Sequence, residues 1–235
     1  MTGPWIPLLA LLFQAAPAAA PAYQQTYHIY IRGEPVGTER VTESLDPSGN
    51  IVSSSEHDMF LTDGLSTSRV TFETRMTLGR SGTVPSSCSL HYTSGNSGDY
   101  YEVSVQDGRI RRVLQRGGMK TEAEGKAGAD TVIFDFNVYH QFDYVARRYD
   151  FKKRGRQLFQ NFVPIVGAEV PLALTHVGDG ELEHARGKIP VRNFRVELMG
   201  VLAGAFSVDR DNRLVRLLVL DKDLEVLRQD LSPSP

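Results

Sequence analysis

The residue pair best placed for chemistry in this sequence is His140 and Asp143, three positions apart and therefore on one face of a helix if the segment is helical. His57, His91, His176 and His184 are scattered elsewhere. A metal centre needs three convergent ligands. The sequence has no His-x-x-x-His, no His-x-Glu-x-His and no Cys-x-x-Cys, so neither a metal site nor a cofactor is expected. Ser53-Ser54-Ser55-Glu56-His57-Asp58 and Ser86-Ser87-Cys88-Ser89 contain the residue types of nucleophilic catalysis. Neighbours along a strand point to opposite faces, however, and do not make a triad by adjacency. A Gly-x-Ser-x-Gly elbow and a glycine-rich phosphate loop with its Lys are both missing. The reading is a non-enzyme; a catalyst would need several of His57, His91, His140, Asp143 and Glu183 to meet in a cleft.

Two basic runs stand out locally. Arg109, Arg111, Arg112 and Arg116 form one, and Arg147, Arg148, Lys152, Lys153 and Arg154 form the other, continuing to Arg156. Each is read as a solvated face or, for the second, as a contact for an anionic head group at a rim. Nucleic acid is excluded as a partner on charge: 26 Lys and Arg against 28 Asp and Glu give a net charge of -2. The apolar candidates are Phe134, Phe136, Val138, Phe142 and Val145, with Phe72 and Met76, expected to line or gate a space for an apolar ligand.

Those residues must be positioned by a fold, and the dominant period is two. Val70, Phe72, Thr74, Met76 and Leu78 alternate with Thr71, Glu73, Arg75 and Thr77, the signature of a strand with one packed and one wet face. Turn residues recur at hairpin intervals: Gly33 to Gly37, Asp46 to Asn50, Thr62-Asp63-Gly64, Asp107-Gly108, Asp179-Gly180, Lys188 to Pro190 and Asp209 to Asn212. Residues 117–130, with four glycines and few apolar residues, read as a loop or ragged edge. Val138, Phe142, Val145 and Tyr149 fall three or four apart, which predicts one helix over 138–149 with Asp135 or Asn137 as its cap. Leu214 to Leu220 is apolar on both faces and reads as a doubly buried strand.

Residues 1–22 read as a secretory signal, with an apolar run at 5–13 and small residues before a site after Ala22. Residues 23–231 then form one domain, and 232–235 a disordered tail. The expected location is periplasmic or extracellular, with no transmembrane segment in the mature chain. Export and a lone Cys88 leave that thiol either buried or free for an intermolecular bond. The fold class is all-β: one large curved antiparallel sheet forming an incomplete β-barrel, with the helix packed in or over its concave face.

Tyr27-x-Ile29-Tyr30-x-x-Gly33-x-x-Val36-Gly37, the run of hairpins, the single mid-chain helix and the closing Asp209-x-Asp211-Asn212-x-Leu214-Val215-Arg216-Leu217 carry a resemblance. They look like uncharacterised secreted bacterial proteins grouped with the periplasmic lipoprotein carriers of the outer-membrane localisation pathway. The resemblance implies a half-barrel with a helical lid over a greasy cavity across residues 25–229, and it transfers no individual functional residue. The expected function is a non-catalytic carrier of a lipid-like or other apolar ligand, with peripheral membrane contact. The alternative is a cell-envelope assembly protein that binds another protein through a sheet edge or apolar patch.

Overall fold

The computed structural model describes residues 22–62, 65–82, 85–94, 97–128, 131–184 and 187–231. The signal-sequence reading of residues 1–22 lies outside these residues save for Ala22, and so does the tail at 232–235. In chain order the strands are β1 (Tyr23–Ile31), β2 (Glu34–Leu45), β3 (Ile51–Thr62), β4 (Thr67–Leu78), β5 (Pro85–Ser94), β6 (Ser97–Gln106), β7 (Arg109–Arg116) and β8 (Met119–Lys126). A short β9 (Thr131–Ile133) leads to the helix α1 (Gln141–Arg148). There follow β10 (Arg156–Val163), β11 (Ala168–His184), β12 (Gly187–Leu198), β13 (Val201–Val208), β14 (Leu214–Val219) and β15 (Leu224–Arg228). No helix among the described residues is long and apolar enough to cross a membrane.

Among the described residues all fifteen strands join one sheet, in the order β8-β7-β6-β5-β4-β3-β2-β1-β15-β14-β13-β12-β11-β10-β9. Every neighbouring pair is antiparallel except β9 with β10. Among the described residues the all-β class with a single α-helix is therefore observed, but the expected incomplete β-barrel is not. The sheet stays open, and its terminal strands β8 and β9 share no ladder. Consecutive hairpins zip outward from the central β1–β15 pair, a topology that needs no closure to hydrogen-bond its interior strands.

The alternating segment at 70–78 forms β4 as expected, with Val70, Phe72, Thr74, Met76 and Leu78 all buried. Residues 117–128 form not a loop but a turn and the edge strand β8, and 129–130 lie outside the described residues. Gly117 and Gly118, at φ +54° and +80°, make the tight turn that returns β8 to β7. Asp179-Gly180 and Lys188 to Pro190 are not turns but parts of β11 and β12, whose pairing absorbs an irregularity between His176 and Gly178. In β14, Leu214, Val215, Leu217 and Val219 are buried and Leu218 is half-buried, whereas Leu220, just past its end, is exposed. That strand is thus not covered on both faces throughout.

The helix is shorter than its periodicity suggested. Residues 138–140 are a turn, His140 stands at the N-cap, and neither Asp135 nor Asn137 caps it. Asp135 instead accepts hydrogen bonds from the backbone and side-chain amides of Asn137, and Gln141 Oε1 accepts the Asp135 N–H.

Antiparallel pairing puts successive turns at alternate ends of the sheet. The end carrying the turns after β1, β3, β5, β7, β10, β12 and β14 is called upper below; the end carrying Tyr23 and Arg228 is called lower. One apolar cluster draws side chains from nearly every strand and from residues 132–149. A second and smaller one contains Met76, Leu78, Cys88, Val103, Ile110, Ile133, Tyr144 and Phe162.

Candidate functional site

The segment 131–149 runs up β9, turns near Phe136 at the upper end and descends as α1, covering the packed face of the sheet. Beneath it lies a polar seam. Glu39 on β2 is fully buried, and its Oε1 lies 2.8 Å from His57 Nε2 on β3 and 2.5 Å from His140 Nδ1. The His140 N–H donates to Glu39 Oε2 at 3.1 Å. A carboxylate only accepts, so the His140 Nδ1 bonded to it carries a proton. Burial raises the Glu39 carboxyl, but His57 and His140 outweigh burial and hold it well below the usual carboxylate range. For His140 burial acts downward, and Glu39 overcomes it to leave the imidazole above its ordinary value.

One helical turn further on, Asp143 is also buried. Its Oδ1 accepts the Leu214 N–H at 2.6 Å and its Oδ2 takes Arg213 Nη1 at 3.2 Å. Arg213 forks onto Glu43 at 2.8 and 2.7 Å and lies over the Tyr23 ring at 3.8 Å, while the Tyr144 hydroxyl donates to Glu43 at 2.8 Å. Desolvation pushes the Asp143 carboxyl up to about 6, against the pull of Arg213 and Arg147. Glu43, where Arg213 outweighs burial, is lowered.

The structure thus brings together His57, His140 and Asp143 from the list a catalyst would need, but in the interior and not in a cleft. His91 lies apart beside Tyr100, and Glu183 faces Lys188 on the β11–β12 hairpin. No group of His, Cys, Asp and Glu among the described residues could hold a metal ion. Glu39, Glu43 and Arg213 were not singled out by sequence. One signal was available: within Thr38 to Glu43 the apolar residue is Val41, and its strand face is shared by Glu39 and Glu43.

Of the apolar candidates, Phe72, Phe134, Val138, Phe142 and Val145 meet in the main cluster, with Phe136 half-buried against it; Met76 belongs to the second cluster. Phe134, Phe136 and Phe142 contact one another edge-to-face with centroids 4.9–5.5 Å apart, and Phe142 reaches Phe206 at 4.8 Å. The basic candidates divide. Arg147 lies over the Tyr144 ring, and Arg148 over Phe159 while donating to the Thr131 carbonyl. Lys152, Lys153 and Arg154 are exposed at the turn after α1, Lys153 reaching Asp150 at 3.9 Å. In the other basic run Arg112 is buried and donates to the carbonyls of Pro164 and Ile165. Arg111 pairs with Glu122 and Arg116 with Asp99.

The main cluster is sealed unevenly. Val36, Tyr92, Leu114, Ile165, Leu198 and Leu224 pack against it but stay half-exposed, as Phe136 does. Each sits at the upper end of its strand or in an upper turn. The seam of Glu43, Asp143 and Arg213 occupies the lower end.

No family model matches the chain, and no curated protein matches its sequence. Among solved structures, it is similar to a β-barrel-like protein of the domain of unknown function DUF1849 from Brucella abortus, with a TM-score of 0.60 at 8% identity, over 90% of this chain and 98% of that one. A DUF1089 family protein from Pseudomonas aeruginosa gives a TM-score of 0.47 at 14% identity, over 74% and 87% of the two chains. The first likeness is one of fold, to a family without a described function, and neither is a match to the lipoprotein carriers.

Proposed function

We propose that the protein is an exported, non-catalytic binding module that takes a lipid-like or other apolar ligand at the upper end of its core, with residues 136–139 yielding to admit it. The observation that carries this reading is the row of half-buried apolar side chains along that end, with Phe136 among them. Acyl carbon laid against such a row gains about 0.8 kcal/mol per buried CH₂. The seam holds α1 by directional contacts lower down, so the aromatic turn can give way while the helix stays placed. Export is supported by the apolar run and small residues of positions 5–22.

Titration with a fluorescent long-chain fatty acid tests the proposal. Saturable one-to-one binding, weakened roughly tenfold or more by Phe136→Asp, is the expected result. Absence of saturable binding by the folded wild-type protein contradicts it. A second reading, a cell-envelope assembly module, is favoured by the mutual packing of Phe134, Phe136, Phe142 and Phe206, which fill the space a ligand would need. That reading predicts no fatty-acid binding at all.

A further inference from the structure

Among the described residues Arg112, on β7, is the one arginine that is buried, at 6% exposure. Its guanidinium lies over the Tyr101 ring at 5.1 Å. Nε donates to the Pro164 carbonyl at 2.6 Å and Nη2 to the Ile165 carbonyl at 3.1 Å, both in the turn between β10 and β11. Gly167 of the same turn, at φ +70°, lies close against the guanidinium, since a Cβ there would stand 2.7 Å from Nη1. The ring and the turn thus fix the fork in place, but its charge is not answered. Arg111 and Arg116 on the same strand face Glu122 and Asp99, and Arg213 faces Glu43, whereas no carboxylate of the described residues stands within ion-pair reach of Arg112. Burial lowers the guanidinium from its ordinary range; Tyr101 opposes this and Arg116 adds to it.

An arginine carries five N–H donors. The two carbonyls take the one on Nε and one on Nη2, which leaves both on Nη1 and the second on Nη2. A neutral amide could hold two carbonyls at a far smaller desolvation cost, so a buried and unanswered charge calls for an anion. We infer that the spare Nη1–Nη2 edge of Arg112 receives the carboxylate of the apolar ligand, which makes that ligand a fatty acid. The inference deepens the apolar-ligand reading and rests on it. Position supports it: Leu114, two residues further along β7 on the same face, and Ile165, whose carbonyl Arg112 holds, both belong to the half-buried apolar row. An acyl chain laid along that row brings its head group to the guanidinium. Two parallel N–H groups on one planar edge match the two oxygens of a carboxylate, and a single positive charge matches a monoanion better than a phosphate monoester. Because the ring and the turn already hold the fork, little ordering remains to oppose binding.

Calorimetric titration of the full chain with dodecanoate and, separately, with dodecanol tests it, at a pH where the carboxylate is ionised. The two probes share their acyl chain and differ in the head group. The wild type should bind dodecanoate about tenfold or more tightly than dodecanol. Arg112→Met, checked for folding by circular dichroism, should lose that preference, and Arg112→Lys, which keeps the charge without the fork, should retain part of it. Should Arg112→Met fail to fold, the wild-type comparison and Arg112→Lys still decide. Equal affinity of the wild type for the two probes overturns the inference and leaves the apolar-ligand reading intact, whereas binding of neither probe overturns both. A preference that survives Arg112→Met, or a variant in which both probes weaken alike, overturns the assignment to Arg112 and leaves it the structural task of holding the turn. Tighter binding of a lysophosphatidate of the same chain length overturns the carboxylate as the preferred head group.

Discussion

His140 is joined to Glu39 twice across 101 residues of chain: Nδ1 lies 2.5 Å from Oε1, and the backbone N–H donates to Oε2 at 3.1 Å. The N-cap of the helix is thereby held on a central strand by a side chain instead of by a local cap. A buried ionic contact of this kind costs desolvation on both partners, and it is unforgiving when one partner is removed.

Glu39→Gln should destabilise the protein by about 3–5 kcal/mol in chemical denaturation, because it leaves His57 and His140 without the anion that both face. The same change should move the His140 ring titration, followed by NMR, downward, since burial is then opposed only by the weaker pull of Asp143 and Glu43. An unmoved titration would show that Glu39 does not set the charge of His140.

The seam also fixes the direction of three pH effects. Glu39 is lowered, so its stabilisation is present above the ordinary carboxyl range and is lost as pH falls through the depressed value. His140 is raised, so its stabilisation is present below about 6.5 and is lost as pH rises through the raised value. Asp143 runs the other way for a carboxyl. Raised to about 6, it binds more protons folded than unfolded between roughly pH 4 and 6, and stability falls as pH rises through that window. Measured as the stability difference between wild type and Asp143→Asn, the wild type should gain on the variant by about 3 kcal/mol on going from pH 7 to pH 4. A flat difference would place the Asp143 carboxyl in its ordinary range.

Cys88 is buried between β4 and β6 and its thiol is pushed up to about 12 by burial. Of the two fates open to it on sequence, the structure favours the inert one. It should resist a thiol-disulfide reagent at about pH 8 in the native protein and react at once in denaturant. Fast native reaction would mean that β5 opens.

Much of the sheet was readable because alternation and turn chemistry are local properties. Val70 to Leu78 and the Asp107-Gly108 turn needed nothing from the rest of the chain. What was misread depended on partners far away. Asp179-Gly180 has turn composition, yet β12 pairs straight through it. The regular stripe at 138–149 implied a longer helix, but the Glu39 contact and the Asp135–Gln141 bond shape its start into a turn. The expected barrel failed because alternating strands specify hairpins and a packed face, not whether terminal strands such as β8 and β9 meet. The seam escaped notice for the same reason: Glu43 and Arg213 are 170 residues apart, and each alone looks like a surface charge.

The central claim is that the upper end of the core receives an apolar ligand. Native mass spectrometry of protein purified from a bacterial periplasm, followed by organic extraction, tests it most directly. The account predicts a retained lipid-like molecule at one per chain, lost in Phe136→Asp. Protein that emerges empty, and stays empty when fatty acid is added, would contradict it.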